Sequence, residues 1–319
     1  MSYSVLGCGR WGGFIAWYLG CVLGNKVYSW GPEKDKIFKE LKATRKNEYL
    51  TMPKEVKIIE SLDMALKSEI IVISISSQNL RLFAKRLNKY KLSGKTFILA
   101  MKGLEESTGK RLSQVMSQEI KQKINLAVWV GPGHVQSFIK GIPNCMVICS
   151  ENMELTKKIV SKLESNLIRF YYGVDMIGNE IGAAAKNVMG IAAGMLDGMG
   201  IPSVKGALMA RGAAEISNLI FALGGNKLTA YGLCHLGDYE ATLFSLNSHN
   251  RRFGELFIKD KEFDKLAEGV KTSGALLKMA KDVKVELPIT KMVYDVINGF
   301  QKKDGALKTL FNRPIKSEF

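Results

Sequence analysis

The feature that most constrains this chain is a glycine-rich turn near its amino terminus. An apolar strand-like stretch ends at Leu6 and runs directly into Gly7-x-Gly9-x-x-Gly12, and an apolar helix-like segment follows. In such a turn the first glycine permits a tight bend, the second lets the backbone approach a pyrophosphate, and the third lets helix and strand pack closely. Free N–H groups at the start of the helix then face the anion. The turn predicts a dinucleotide-binding site, with a purely structural glycine turn as the alternative.

Strand-like and helix-like segments alternate through the first half of the chain. Apolar strands are predicted at Ser4–Gly7, Lys26–Trp30, Ile70–Ile75, Thr96–Met101, Leu126–Val130 and Cys145–Ser150. The central ones are continuous apolar runs, which are typical of strands buried on both faces. The alternation predicts an α/β domain with a parallel, doubly wound sheet over residues 1–176.

Long helical patterns replace the strands in the second half. They are predicted at Glu180–Met199, Ser203–Leu223, Phe263–Lys281 and Pro288–Gln301. Proline at the start of the last pattern suits the first turn of a helix. The sequence therefore predicts a second, mostly α-helical domain over residues 177–319, which we expect to carry the substrate and catalytic residues.

The chain is strongly basic, with 46 Lys and Arg residues against 30 Asp and Glu and a formal net charge of +16. The lysines are scattered singly, and no basic block alternates with aromatic residues as it does in nucleic-acid readers. We therefore expect no nucleic acid as a partner and keep a basic nucleic-acid binder only as the less favoured alternative. A basic surface also attracts small phosphorylated molecules, which is the use that we expect here.

Cysteine usage and hydropathy favour a cytoplasmic protein. The five cysteines form an odd set without a C-x-x-C pair, which favours reduced thiols over disulfides or a metal site. The sequence has no basic region typical of a signal peptide and no uninterrupted apolar run of about 18 residues. We therefore expect a cytoplasmic location, no metal and no membrane insertion.

Polar residues that directly follow the predicted strands are the first candidates for a site. In an open parallel sheet, ligands bind outside the carboxyl ends of the strands. Lys102 follows one strand and precedes a glycine, and Gly131-Pro132-Gly133 follows another. A lysine in such a place is usually a solvated surface residue. We expect Lys102 to contact an anion.

The helical half carries the candidate catalytic groups. Lys186 lies in a helix rich in alanine and glycine that should be buried, where a lysine is costly unless it has a partner or a task. It is therefore a candidate general acid–base, with a lysine that extends from a packed helix to solvent as the alternative. Asp238 lies among glycines in a tight loop, and the hydroxyl, amide and guanidinium groups that follow it, among them those of Thr242, Ser248 and Asn250, suit phosphate. A capped helix start is the alternative for this polar segment.

Together these segments resemble the NAD(P)-dependent glycerol-3-phosphate dehydrogenase family of bacterial type. Besides the glycine turn with Trp11, the matching segments are Ser77-Gln78 with Arg81, Lys102-Gly103-x-Glu105, Gly131-Pro132, Gly182-Ala183-x-x-Lys186-Asn187-Val188, Ile191-Ala192-Ala193-Gly194-x-x-Asp197-Gly198, Ala210-Arg211-Gly212-x-x-Glu215, Gly232-Leu233-x-x-Leu236-Gly237-Asp238, Asn250-Arg251-Arg252-Phe253-Gly254, Glu268-Gly269 and Glu286-x-Pro288-Ile289. They span nearly the whole chain in the order of the family. The resemblance implies a Rossmann-type α/β amino-terminal domain, a mostly α-helical carboxyl-terminal domain and a homodimer.

The resemblance also implies the reduction of dihydroxyacetone phosphate to sn-glycerol 3-phosphate for phospholipid synthesis, with NAD or NADP as the cofactor. Lys186 matches the family's general acid–base, Lys102 would polarise or hold the substrate, and Asp238 would orient the lysine; these three are the expected catalytic residues. The expected cofactor contacts are Gly7, Gly9, Arg10, Trp11, Gly12, Lys102, Val135, His249, Leu266 and Glu268. The expected substrate contacts are Lys102, Gly131, Gly133, Lys186, Asn187, Asp238, Thr242, Ser248, His249 and Asn250.

Four positions depart from the family pattern, one of them Val130, which stands where the family has the first serine. Where the family shows Ser-Gly-Pro-Ser/Thr and a nearby acid, this chain has Gly133 and Gln136, and where the family shows Ser-Arg-Asn it has His249. Losing a charged contact to phosphate costs about 1.5–3 kcal/mol. The alternatives are weak substrate affinity, compensation by Arg251 or a nearby lysine, and a different phosphorylated or acidic ketone as substrate. A cofactor-binding pseudoenzyme is a further alternative, which the intact catalytic set argues against.

The residues after the second strand leave the choice of cofactor open. Glu33 lies about 20 residues beyond the last glycine of the turn, where an acid that binds the ribose hydroxyls favours NAD. The neighbouring Lys34 suits a 2′-phosphate instead. Both NAD and NADP therefore remain as expected cofactors.

Overall fold

The computed structural model describes residues 2–315 and 317–318, and the chain divides into two compact units. The first, which we call the sheet unit, comprises Met1–Lys102 and Arg111–Glu180. The second, the helical unit, comprises Gly103–Lys110 and Ile181–Phe319. A short excursion after the fifth strand thus belongs with the helical unit, and the main division falls at residue 180.

The sheet unit is built on one eight-stranded sheet. Its strands are β1 (Ser2–Leu6), β2 (Lys26–Trp30), β3 (Val56–Ile59), β4 (Ile70–Ile73), β5 (Thr96–Leu99), β6 (Asn125–Val130), β7 (Asn144–Cys149) and β8 (Ile168–Gly173). Their order is β3-β2-β1-β4-β5-β6-β7-β8, which places the reversal of a doubly wound fold between β1 and β4. The predicted Rossmann-type fold class is confirmed.

Two details of the sheet correct the sequence prediction. The strand β7 runs antiparallel to β6, whereas the other neighbouring strands of the sheet are parallel. The segment between β6 and β7 contains only a five-residue helix, which is short for a parallel crossover. The strands β3 and β8 were not predicted because both lie at the edges of the sheet, where polar residues interrupt the apolar run.

Helices surround the sheet and form the helical unit. Their bounds are α1 (Arg10–Trp17), α2 (Lys36–Thr44), α3 (Leu62–Ala65), α4 (Leu80–Leu87), α5 (Leu112–Glu119), α6 (Val135–Ile139), α7 (Met153–Leu163), α8 (Met176–Gly198), α9 (Lys205–Ala222), α10 (His249–Ile258), α11 (Glu268–Asp282), α12 (Pro288–Ile297) and α13 (Ala306–Phe311). The helix predicted at Phe263–Lys281 begins at Glu268, and the one predicted at Pro288–Gln301 ends at Ile297. Among the described helices, none is both long and apolar enough to span a membrane.

An aromatic cluster fills the sheet unit beneath the glycine turn. The ring of Phe14 on α1 stacks on that of Phe138 on α6, with ring centroids 4.8 Å apart. Tyr18 packs edge-on to Trp129, and its hydroxyl donates to the carbonyl of Leu163. Because these rings are fully buried, they fix the position of α1, and with it the turn that precedes α1.

A row of glycines lets α8 touch α10 in the helical unit. Gly190, Gly194 and Gly198 are spaced by four residues and therefore lie on one face of α8. A Cβ atom at Gly194 would collide with the carbonyl of Arg251, and one at Gly198 would lie 2.8 Å from Cβ of Ile258. A side chain on this face would push the two helices apart, so the glycines set their separation.

One buried carboxylate ties α8 to α5 inside the sheet unit. Glu180 accepts hydrogen bonds from the amide of Ser113 at 2.8 Å and from its hydroxyl at 2.5 Å. The guanidinium of Arg111 donates to the same carboxylate at 2.6 Å. Since both charged groups are largely removed from water, each depends on the other for its hydrogen bonds.

We predict that Glu180→Gln lowers the free energy of unfolding of the sheet unit by about 3–5 kcal/mol, because the Arg111 charge is left buried without its partner. Urea denaturation followed by circular dichroism measures the loss. The matched control is Glu154→Gln, which breaks the exposed Glu154–Lys157 pair and should change stability by less than about 1 kcal/mol. Equal losses in the two variants would show that burial of the Glu180 pair has no energetic importance.

Candidate active site

The turn between β1 and α1 has the geometry that a pyrophosphate requires. A Cβ atom at Gly7, whose φ is +115°, would collide with the carbonyl of Ser74, and one at Gly12 would collide with the carbonyl of Gly7. At Gly9 the same atom would meet nothing within 4 Å, so the missing side chain leaves open space in front of the helix. No side chain caps the first turn of α1. Its free N–H groups, at the reversal of strand order, fit the phosphates of a dinucleotide.

Lys102 lies near two other predicted residues, Gly131 and Trp11, at the carboxyl edge of the sheet. Its Nζ donates to the carbonyl of Gly131 at 2.6 Å and lies 5.6 Å from the ring centroid of Trp11. The ends of β5 and β6 and the glycine turn therefore meet at one cation. An ammonium group in this place can bind an anion or polarise a carbonyl oxygen.

The loop after β6 accounts for the glycine that replaces serine or threonine. A Cβ atom at Gly133 would collide with the ring of Phe138, which belongs to the aromatic cluster. Gln136, the other departure in this loop, accepts a hydrogen bond from Arg10 at 3.1 Å. Val135 is buried at the start of α6. In this chain the loop thus supports the glycine turn through Arg10 and carries no hydroxyl at position 133.

Lys186 and Asp238 form a buried ion pair in the helical unit. Nζ of Lys186 lies 3.0 Å from Oδ2 of Asp238, and the two residues are 8% and 1% exposed. The same Nζ donates to the hydroxyl of Thr242 at 2.7 Å, and that hydroxyl donates to the carbonyl of Asp238 at 2.7 Å. A π-helical turn at Glu240–Phe244 brings Thr242 to this place. The cation is therefore held in one position by a carboxylate and a hydroxyl.

Other predicted substrate residues of the helical unit lie at the start of α10 and beside the start of α11. Ser248 caps α10 by accepting from the amide of Arg251, and Oδ1 of Asn250 accepts from the amide of Gly269 at 2.9 Å. A Cβ atom at Gly269 would lie 2.6 Å from the carbonyl of Asn187, so α11 begins in contact with α8. Glu268 is the first residue of α11 and thus lies at this contact.

Two predicted contacts differ from the rest in their surroundings. His249 is half-buried at the start of α10, with its ring edge-on to Phe263 at 6.1 Å between centroids. Leu266 is 59% exposed, so most of its side chain is not packed against other residues. Over the described residues, no group of three or more His, Cys, Asp or Glu side chains could hold a metal ion.

Arg251, which could compensate for the missing family arginine, is paired with two carboxylates of the helical unit. Its Nε lies 2.6 Å from Oδ2 of Asp197, and its guanidinium also pairs with Glu255. Asp197 binds Lys205 at 2.7 Å as well, and Lys205 donates to the carbonyl of Leu243 at 3.0 Å. The charge of Arg251 is thus paired with carboxylates of the protein, and compensation by Arg251 at the phosphate stays a prediction.

Sequence reasoning missed the role of Asp197 and Lys205. Both side chains are largely buried and link α8, α9 and the π-helical turn that holds Thr242. The available signal was a lysine at the start of a predicted helix, eight residues after an aspartate that belongs to a matching segment. Spacing along the chain did not show that the two would meet.

Comparison with known proteins matches both halves of the chain to one family. A family profile described as the N-terminus of NAD-dependent glycerol-3-phosphate dehydrogenase matches residues 2–156, and the profile of its C-terminus matches residues 175–308. The chain is 34% identical over 332 aligned positions to glycerol-3-phosphate dehydrogenase [NAD(P)+] of Thermoanaerobacter sp., covering 100% of this chain and 99% of that protein. It is 35% identical to the protein of the same name from Clostridium botulinum strain Alaska E43, covering 99% and 98%.

The fold also matches a solved structure. The crystal structure of glycerol-3-phosphate dehydrogenase from Coxiella burnetii superimposes with a TM-score of 0.90 at 26% identity, covering 98% of this chain and 99% of that one. Both halves of the chain thus match the same family in the order that the sequence resemblance predicted. The chain belongs to the NAD-dependent glycerol-3-phosphate dehydrogenase family.

Proposed function

We propose that this chain reduces dihydroxyacetone phosphate to sn-glycerol 3-phosphate, with NADH or NADPH as the reductant, and so supplies phospholipid synthesis. Family membership supports the reaction. The observation that carries the proposal is the buried arrangement of Lys186, Asp238 and Thr242, in which the lysine nitrogen has two fixed partners. Such an arrangement suits a group that delivers a proton to one defined oxygen.

The chemistry divides between the cofactor and this chain's residues. When bound, the nicotinamide supplies the hydride that the carbonyl carbon of the substrate gains. Lys186 donates a proton from Nζ to the ketone oxygen, so the carbonyl becomes an alcohol and the lysine becomes neutral until solvent returns the proton. In the reverse direction neutral Lys186 accepts the proton of the hydroxyl. Asp238 stabilises the ammonium form, and the hydroxyl of Thr242 fixes the direction of the nitrogen.

The remaining expected residues have binding roles in this proposal. The glycine turn with Arg10 and Trp11 holds the pyrophosphate of the cofactor, and Lys102 holds the substrate oxygen or its phosphate. We assign the phosphate to Ser248, His249 and Asn250, and the substrate hydroxyl to Asn187. The resemblance adds Thr242 to the phosphate site, although its hydroxyl donates to the carbonyl of Asp238 in this structure. The glycine geometry and the Lys102 contacts support the first two assignments. The resemblance alone supports the others.

We further propose a cytoplasmic homodimer. All five cysteines are free thiols, which suits a reducing compartment. Burial raises the pKa of the Cys8 and Cys149 thiols to about 12, so few of these two groups are in the reactive thiolate form. The dimer rests on the family resemblance. Sedimentation equilibrium of the purified protein, at a mass of 35.3 kDa per chain, tests it directly.

The first test is loss of absorbance at 340 nm with dihydroxyacetone phosphate and either NADH or NADPH. We expect turnover with at least one nucleotide, and Lys186→Met should lower kcat by roughly 10²- to 10⁴-fold because the proton donor is removed. Lys291→Met is the matched control, since that lysine is exposed and should leave the rate unchanged. Wild-type turnover in the Lys186 variant would contradict its catalytic assignment.

The same assay separates the alternatives. Oxidation of the nucleotide with another phosphorylated or acidic ketone, and none with dihydroxyacetone phosphate, would replace the substrate while keeping the chemistry. Nucleotide binding without oxidation on a panel of ketones would indicate a pseudoenzyme.

A second prediction concerns the departure at position 249. His249→Arg should lower KM for dihydroxyacetone phosphate roughly 10- to 100-fold and leave kcat within about threefold, because it restores a permanently charged fork for the phosphate. Asn247→Arg is the matched control: it adds the same charge two residues earlier on an exposed side chain and should change KM by less than about threefold. Equal effects of the two variants would mean that position 249 does not contact the phosphate.

A further inference from the structure

The side chain of His235 is fully buried inside the helical unit, next to Lys186 and Asp238. Its Nδ1 is 2.8 Å from the carbonyl oxygen of Gly182, and its Nε2 is 2.7 Å from the hydroxyl of Tyr239. Both ring nitrogens are therefore used, and His235 is 0% exposed. A histidine bonded in this way is an oriented element of the structure.

The partners of the ring determine its tautomer. A backbone carbonyl only accepts, so Nδ1 carries the hydrogen and donates it to Gly182. Nε2 is then an acceptor, and the hydroxyl of Tyr239 must donate to it. Burial lowers the pKa of His235 to about 4, in keeping with a neutral ring. The hydrogen bonds thus run in one direction, from Tyr239 through His235 to Gly182.

His235 connects the backbones of both catalytic partners. Its ring bonds the carbonyl of Gly182, which lies one helical turn before Lys186 in α8. Its own carbonyl accepts the amide of Asp238 at 3.0 Å. The close approach needs a glycine, because a Cβ atom at Gly182 would lie 2.9 Å from Sγ of Cys234 and 3.1 Å from Cβ of His235.

Tyr239 extends the same connection to a third helix. It directly follows Asp238 and is fully buried, with its ring edge-on to His235 at 4.8 Å between centroids. A Cβ atom at Gly212 on α9 would lie 3.2 Å from its hydroxyl oxygen. The two side chains therefore join α8, α9 and the turn that carries Asp238.

We propose that His235 and Tyr239 are positioning residues that hold Asp238 in register with Lys186. Neither side chain is assigned a contact with substrate or cofactor; they act by fixing the distance between the two members of the ion pair. A small misplacement of a catalytic group costs up to about 10²-fold in rate. The kinetic part of this inference rests on the proposed reaction, whereas the tautomer and the accessibility of Lys186 do not.

Three variants test the proposal by kinetics. Tyr239→Phe removes the hydroxyl that donates to His235. His235→Asn keeps a donor for the carbonyl of Gly182 but removes the acceptor for Tyr239. The double variant carries both substitutions. We expect each single variant to lower kcat roughly 10- to 100-fold with KM within about threefold. The kcat of the double variant should lie within about twofold of the kcat of the slower single variant, because the two residues act as one unit.

Tyr18→Phe is the matched structural control. It removes the hydroxyl of another buried tyrosine, which bonds the carbonyl of Leu163 in the sheet unit. If Tyr239→Phe and His235→Asn lose thermal stability as this control does but keep wild-type kcat, the positioning role is overturned. Because Tyr239→Phe is nearly isosteric, it keeps the test decisive even where His235→Asn does not fold.

Two further measurements need no substrate and so separate this inference from the proposed reaction. With ¹⁵N-labelled histidine, the chain has only three ring systems to resolve. We expect His235 as the Nδ1–H tautomer with no titration between about pH 8 and 5. An Nε2–H tautomer or ordinary titration would overturn the hydrogen-bond direction.

The second measurement is acetylation of Lys186 by acetic anhydride, followed by peptide mass spectrometry with Lys291 as the reference. Acetylation of Lys186 should be at least threefold faster in Tyr239→Phe and unchanged in Tyr18→Phe. Unchanged acetylation would overturn the positioning role whatever the substrate is.

Discussion

Burial of the ion pair between Lys186 and Asp238 is the constraint on which the helical unit depends. Moving either charge out of water alone costs several kcal/mol, and their attraction offsets this only when the geometry is fixed and the remaining hydrogen bonds are satisfied. Thr242 supplies one of those bonds to the lysine, and the turn carrying Asp238 is bonded back to His235. Because an unpaired charge in this place would be strongly destabilising, the fold itself keeps the proton donor in one position.

The pair can be held this way because neighbouring helices approach without side chains between them. Gly182, Gly190 and Gly194 each stand where a Cβ atom would press on a different neighbour, namely His235, Thr242 and the backbone of α10. A glycine on a helix lets a neighbouring backbone come into direct contact with that helix, which a larger side chain would prevent. The separate charge network of Asp197 then fixes α10 by binding both Lys205 and Arg251. The glycine contacts and the ion pairs of Asp197 both involve α8 and α10, so a change in one set would disturb the other.

The extent to which the sequence predicted this arrangement follows from the range of the interactions. The glycine turn was predictable because its three glycines recur at a fixed spacing directly after an apolar strand, and the central strands were predictable because burial on both faces makes them continuously apolar. Strands β3 and β8 were missed because edge strands carry polar residues, and the antiparallel β7 was missed because direction is not encoded in the strand itself. Arg251 and His235 each have one partner four residues on, but their partners Asp197 and Gly182 lie 54 and 53 residues away in the chain, and no local pattern specifies those two. The composition of its helix pointed to Lys186 and the glycine-rich loop to Asp238, and the family resemblance implied their roles. Neither showed that Arg251, two residues after His249, pairs with Asp197.

Chemical rescue of a truncated lysine tests the central claim most directly, namely that the nitrogen of residue 186 delivers the proton. Lys186→Ala should be nearly inactive alone and should regain turnover on addition of small primary amines, saturating with amine concentration and following amine pKa as a proton donor does. Asp238→Ala, which leaves the lysine in place, should show no amine dependence. Turnover by Lys186→Ala at the wild-type rate without amine would contradict the account, as would amine stimulation of equal size in both variants.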